Sequence, residues 1–376
     1  MTPPRLLMTT DAVGGVWSYA SDLAQALCGR GWSVVLVTMG PPPRAEQLAP
    51  SMGVRDLHVI VSDLALEWMD PSGSDLPHAH DTLLRIAERV QPHIIHLNGF
   101  REAGFKWPAP CIVVAHSCVW SWWEACRGGV PDARPWFAYR DNAAAGLAAA
   151  DAWVAPSKAF LEQIAHIYRP GSDGIVINNG CASPAAFPRK KPQVLAAGRL
   201  WDEAKNLSML ERAAVSLRWP VRVAGPLEAP GHSASEPGAL SVIPLGSLSR
   251  DRLADEMSDA GIFASLARYE PFGLTVLEAA ARGCALVLSD IPTFRELWGD
   301  AAFFVAPDDE AAAIVSINRL SGQEDVRHAM QKRARARARR YSLRKQVNAY
   351  DALYRRLTFE RRPARSSLPE RQELHA

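Results

Sequence analysis

Along most of the chain, short apolar runs alternate with stretches in which apolar residues recur at helical spacing. That rhythm predicts parallel α/β architecture. In the first half the pattern places strands at 5–9, 33–39, 94–96, 111–115, 152–155 and 174–177, each bounded by a turn residue or a polar break. Helices are expected between them at 18–30, 79–90 and 139–150. The second half repeats the rhythm, with strands at 193–197, 221–224, 241–244, 261–264, 285–288 and 302–305 and helices at 206–217, 251–259 and 274–282. Two successive doubly wound sheets fit this pattern. The segment SPAAFPRKKPQ at 183–193 is rich in proline and charge and reads as the linker. The expected division is therefore a first domain over 1–182, a second over 194–345, a last helix near 346–360, and a polar, disordered tail at 361–376.

Composition narrows the classes. At 376 residues the chain suits two domains, and 48% hydrophobic with 22% charged residues is ordinary for a soluble protein. A net charge of +2 gives no whole-protein field that argues for nucleic acid. The charge is uneven, however: 1–190 hold 15 Lys and Arg against 17 Asp and Glu, whereas 191–376 hold 27 against 23. The run RHAMQKRARARARRYSLRK at 327–345 carries nine cations and no acid. It reads as a solvated helix face, or as a surface for anionic lipid or an anionic acceptor. The six cysteines are scattered without metal spacing and are expected reduced. Neither a signal-peptide pattern nor an apolar run of membrane length is present. The expected location is the cytoplasm, with peripheral contact at the inner face of the membrane left open.

The most informative segment is RYEPFGLTVLEAAARGCALVLSDIPTFRE at 268–296. It sets Glu270 and Glu278 on either side of a turn that leads from a strand into a helix. The first N–H groups of a helix lack intrahelical partners and carry partial positive charge, which suits phosphate. Gly273 lets a ligand approach the backbone, and Phe272, Leu274 and Thr275 complete the turn. Two acceptor-only carboxylates around a phosphate cradle fit a diphosphate with hydroxyls at both ends, such as a nucleotide-sugar. The bland alternative is a capping box from Thr275 to Glu278 beside an ordinary loop acid.

Other candidates also stand at strand ends. Arg199 and Lys205, in AGRLWDEAKN, share a loop between a strand and a helix, and a cation there hints at a nearby anion. Gly14 and Gly15, in DAVGGV, follow the first strand without forming a dinucleotide fingerprint. His116 closes the fourth apolar run, and His96 and Asn98 close another that could line an acceptor site. Trp120, Trp122 and Trp123 form a dense aromatic segment, read either as core or as a face for a sugar or lipid-linked acceptor.

EPFGLTVLE at 270–278 resembles the two-glutamate motif of the retaining GT-B glycosyltransferases of family 4, and the likeness continues through Gly283, Asp290 and Glu296. The resemblance implies two Rossmann-like domains facing across a cleft, the first binding acceptor and the second binding donor. It implies that Glu270 contacts the donor sugar, Glu278 the ribose, and the backbone at 272–275 the phosphates. Arg199 and Lys205 would neutralise the diphosphate. Ser247 and Leu248 would lie on the base-binding loop, and His116 with the Gly14–Gly15 turn would lie near the reacting carbon. The last helix would pack back on the first domain. Asn178 to Gly180 matches a structural turn of the family.

The expected activity is transfer of a hexosyl group from a nucleoside diphosphate sugar to a hydroxyl of a sugar, lipid-linked or small-molecule acceptor, with retention. Polysaccharide, lipopolysaccharide and glycoside biosynthesis are all compatible. No Asp-x-Asp pair stands at a strand end, so the expectation is chemistry without a metal or other cofactor. Two rivals remain: an NAD(P)-linked oxidoreductase, for which the first turn lacks the glycine fingerprint, and a non-catalytic sugar-binding relative.

Overall fold

The computed structural model describes residues 3–182, 184, 189–229 and 241–360. The expected tail at 361–376 and part of the expected linker lie outside the described residues. The first sheet contains β1 (Arg5–Asp11), β2 (Ser33–Met39), β3 (Leu57–Val61), β4 (Ile94–Leu97), β5 (Cys111–Val114), β6 (Ala152–Ala155) and β7 (Ile175–Val176), in the order β3-β2-β1-β4-β5-β6-β7. The second contains β8 (Lys191–Ala197), β9 (Val221–Ala224), β10 (Ile243–Pro244), β11 (Ala260–Ser265), β12 (Ala285–Ser289) and β13 (Phe303–Val305), in the order β10-β9-β8-β11-β12-β13. Every pairing within both sheets is parallel.

Helices cover both faces of each sheet, so the central strands are buried along most of their length, including the polar Thr9, Thr10 and His96. Successive side chains of a strand point to opposite faces. Leu6 and Met8 accordingly join one core and Leu7 another, while Val194 and Ala196 separate from Leu195 in the second domain.

Two sequence expectations need correction. The pattern missed β3: LHVIV is an edge strand with four of its five positions exposed or only partly buried, so its apolar signal is diluted. His116 consequently follows the fifth strand, not the fourth. The second sheet also starts earlier, since β8 begins at Lys191 inside the expected linker.

The last helix among the described residues, Leu343–Glu360, lies on the first domain. Val347, Tyr350, Tyr354 and Leu357 recur at spacings of three and four, and with Leu353 they pack among Leu6, Trp17, Leu23 and Trp32. The Trp32 indole donates to Asp351 at 2.8 Å. Where the chain crosses back, Cys181 bridges Ser342. Gly180 is required there, because a Cβ would come within 2.4 Å of the Ser342 backbone.

The domains also touch beside the cleft. Ser157 donates to the Pro271 carbonyl at 2.8 Å, and Glu296 accepts from the N–H groups of Lys158 and Ala159 at 2.9 and 2.7 Å. Among the described residues no helix is long and apolar enough to cross a membrane.

Candidate active site

β11 ends at Ser265 and the chain runs through Glu270 into the helix Leu274–Ala281. Gly273 takes the position before that helix with φ of 84°, and no side chain caps the helix. An added Cβ would come within 2.9 Å of Phe294, so both conformation and space demand glycine. Thr275 lies inside the first turn, which removes the capping-box reading. Glu270 instead folds back, and its Oε1 accepts from the Gly273 N–H at 3.1 Å.

The other oxygen of Glu270 meets Lys205 Nζ at 2.6 Å. Lys205 is fixed by its loop. Asn206 turns left-handed with φ of 54°, and its side-chain amide holds the Leu266 and Pro307 carbonyls at 2.9 and 2.8 Å. Asp202 Oδ1 accepts from Ala204 N–H at 3.0 Å at the start of the short turn Glu203–Lys205. Asp202 Oδ2 accepts from Arg199 Nη2 at 2.8 Å. Burial alone would push the Asp202 carboxyl up, but Arg199, the Trp122 indole and Lys205 outweigh it and hold it below its ordinary value. The two cations of the loop thus each rest on one carboxylate.

The first domain faces this pair with its own turn. Asp11 Oδ1 accepts from the N–H groups of Val13 and Gly14 at 2.8 and 3.3 Å, fixing the loop before the helix Gly15–Cys28. Burial raises the Asp11 carboxyl, with partial relief from those N–H groups and Arg199. A Cβ on Gly14 would approach Arg199 Nη1 to 3.3 Å. The glycine turn and the arginine are therefore neighbours across the cleft.

His116 follows β5. Its Nε2 lies 2.8 Å from Asn98 Oδ1, which also lies 3.0 Å from His96 Nε2. The Asn98 amide nitrogen donates to the Thr9 carbonyl at 2.7 Å, so its oxygen must face the two imidazoles. Both Nε2 atoms then carry hydrogen, and His116 keeps Nδ1 as its acceptor. Tyr354 donates to His96 Nδ1 at 2.5 Å. Burial pushes both histidines down to about 3, so both are neutral near pH 7.

Glu278 lies one helical turn beyond Leu274. Burial raises its carboxyl above the ordinary value, against the pull of Arg250 and Arg282 and with a push from Asp22. Arg250 itself reaches over the cleft to pair with Asp22 of the first domain.

One cavity of about 400 Å³ joins these parts. Gly14, Gly15, His116, Arg199, Lys205, Ser247, Leu248, Glu270, Phe272, Gly273, Leu274, Thr275 and Glu278 all line it. The acceptor candidates His96, Asn98, Trp120, Trp122 and Trp123 do not. His96 is fully buried, and Asn98 serves as the strut behind His116. Trp120 is core, its indole donating to the Trp136 carbonyl at 3.2 Å. Trp122 donates to Asp202 across the domain boundary, and Trp123 carries the Arg127 guanidinium at 4.6 Å. The segment folds as the helix Val119–Arg127, on which the Trp122 and Trp123 rings lie 6.2 Å apart beneath the shared Arg127 guanidinium, outside the cavity.

Sequence reasoning also missed Asp11, Asp202, Arg250 and Tyr269. The Tyr269 hydroxyl accepts from Cys118 N–H at 3.0 Å and lies 2.8 Å from Ser121 Oγ, which fixes the residue before Glu270. Position next to the motif was the only available signal for it. Among the described residues no group of three or more His, Cys, Asp or Glu is arranged to hold a metal ion.

Residues 13–182 match the family model described as Glycosyltransferase Family 4, and 183–337 match that described as Glycosyl transferases group 1. No curated protein matches the sequence. Among solved structures, sucrose-phosphate synthase from Thermosynechococcus elongatus superposes with a TM-score of 0.79 at 18% identity, covering 95% of this chain and 100% of that one. HepE from Anabaena, in complex with UDP-glucose, gives 0.69 at 16% identity over 94% and 100%. The UDP-forming α,α-trehalose-phosphate synthase from Burkholderia vietnamiensis gives 0.66 at 14% over 94% and 100%.

Proposed function

Since this chain belongs to the GT-B glycosyltransferases of family 4, we propose that it moves a hexosyl group from a nucleoside diphosphate sugar to an acceptor hydroxyl, with retention of anomeric configuration. The observation that carries this reading is a single cavity in which Arg199, Lys205, Glu270, Glu278 and the Gly273 turn face Gly14 and His116 of the other domain.

Each part has a chemical task. The donor diphosphate rests against the N-terminal N–H groups at 274–275, the end of the helix that favours anions. Arg199 and Lys205 meet the negative charge that builds on the departing nucleotide. Both cations are already paired with carboxylates, so the loop is held together before the donor arrives. Donor binding then exchanges carboxylate for phosphate. Glu270, relieved of part of its hold on Lys205, accepts from sugar hydroxyls, and Glu278 accepts from the ribose. Ser247 and Leu248 meet the base. His116 is neutral and offers Nδ1 to a sugar hydroxyl near the reacting carbon.

We assign no protein side chain as general base for the acceptor. We therefore assign a same-face displacement: the bond from the anomeric carbon to phosphate breaks, the bond to the acceptor oxygen forms, and the acceptor proton passes to the leaving phosphate. Fixed cations, rather than a metal ion, neutralise that leaving group. HepE forms a complex with UDP-glucose, which makes uridine donors the first to test here.

The test is a thermal-shift panel of nucleotide-sugars and NADH, followed by NMR of the product's anomeric configuration. A donor present at a hundred times its dissociation constant should stabilise the fold by about 2.7 kcal/mol. A shift with NADH alone, or an inverted product, would overturn the reading.

A further inference from the structure

The basic run at 327–345 does not lie flat on the surface. Helix Glu324–Ala338 buries Met330, Ala334 and Ala338 in the second domain. A separate stripe, at 324, 327, 328, 331, 332 and 335, faces another cavity of about 480 Å³. Steps of three and four residues put those positions on one helix face. The opposite wall is Lys190 and Lys191 at the start of β8, with Arg282 and Gly283 just past the helix that bears Glu278. Trp219 closes one side.

The lining holds seven Lys and Arg side chains and a single carboxylate, Glu324. Some of this charge is compensated. Lys191 pairs with Asp259 at 2.7 Å, and Arg327 lies 3.8 Å from Glu324 with its guanidinium over Trp219. Lys332 forms no ion pair among the described residues. Lys190 Nζ donates to the Met257 carbonyl at 3.0 Å and lies 3.9 Å from Cys284 Sγ. Burial lowers Lys190 from its ordinary value, and burial raises the Cys284 thiol, so that sulfur is neutral and supplies no counter-charge.

On a convex surface such cations would be solvated separately and screened. A concave wall adds their fields, and its low-dielectric sides keep the potential high. Arginine and lysine donors converging on a few hundred cubic ångströms suit phosphate oxygens, and the volume is that of a small-ligand site. We propose that this cavity is a second anion site, separate from the interdomain cleft, which takes a phosphate-bearing ligand either free in solution or carried on a lipid headgroup. Arg282 lines both cavities, so an anion here is one side chain from Glu278.

The test uses the full chain and inorganic pyrophosphate as probe, at low salt, by calorimetry. Because pyrophosphate would also enter the cleft, the background carries Arg199→Ala and Lys205→Ala. That background should retain one pyrophosphate site, weakened by added salt. Adding Lys332→Glu and Arg335→Glu should weaken it by about tenfold or more, the value of one charge-assisted contact. Lys332→Gln with Arg335→Gln repeats the test without charge reversal, should the first pair misfold. Sedimentation with phosphatidylglycerol vesicles separates the sources. Binding that pyrophosphate displaces assigns a headgroup, and pyrophosphate binding without displaceable vesicle binding assigns a soluble ligand. Absence of any pyrophosphate site in the background, or unchanged affinity in folded variants with both substitutions, overturns the proposal.

Discussion

The indole N–H of Trp122 donates to one oxygen of Asp202 at 2.9 Å, and the other oxygen of that carboxylate accepts from Arg199 at 2.8 Å. A side chain of the first domain thus steadies, through one carboxylate, a cation assigned to the leaving group. Trp122→Phe removes a hydrogen bond to a charged acceptor, worth about 1.5–3 kcal/mol. We expect a lower melting temperature and a higher KM for the donor, with the acceptor KM unchanged. A rise confined to the acceptor KM would return Trp122 to acceptor binding.

Glu270 and Lys205 act as one unit at 2.6 Å. Removing either should cost about 2.7–4 kcal/mol of barrier, or about 10²–10³-fold in kcat. In a double-mutant cycle, Glu270→Ala and Lys205→Ala together should cost clearly less than their sum, because each single change leaves the other charge unpaired. Additive losses would mean that the pair is not coupled. Near-normal rates in both singles would dismiss the site assignment.

The pH dependence distinguishes two candidate groups. Glu278 has a raised pKa, so its carboxylate is lost early as pH falls, and hydroxyl recognition goes with it. Donor kcat/KM should therefore decline toward acid with a midpoint above the ordinary glutamate value of 4.5. Arg250 lowers the Glu278 pKa, so Arg250→Met should move that limb to higher pH, and Glu278→Gln should flatten it. His116 is already neutral down to about 3 and should contribute no limb between pH 5 and pH 8. A limb that survives Glu278→Gln but vanishes in His116→Gln would reverse the assignment.

Turnover should persist in excess EDTA, because Arg199 and Lys205 supply the positive charge. Activity that disappears on chelation and returns with a divalent ion would contradict this.

The parts of the site legible in the sequence were those carried by a local pattern. Glu270, Gly273 and Glu278 lie within one strand-turn-helix passage, and Arg199 and Lys205 within one loop, so spacing and turn chemistry exposed them. Asp202 meets Trp122 across 80 positions and Arg250 meets Asp22 across 228, distances at which no periodicity operates. The tryptophans stand outside the cavity, because the helix Val119–Arg127 turns Trp120 into the core and Trp122 toward Asp202, which closeness in sequence does not reveal. For the fold, buried parallel strands announced themselves as apolar runs. The edge strand β3, with only Leu57 fully buried, did not.

The helix Leu343–Glu360 supplies Tyr350 and Tyr354 to the core around Leu6 and Trp32. A ribosome releases the N-terminal half of a chain long before its end, and domains ordinarily fold in that order. Here the earlier domain must wait, with an apolar groove open, until the final segment emerges. A fragment stopping at residue 182 should accordingly be insoluble, and holdase chaperones should favour the nascent chain during that interval.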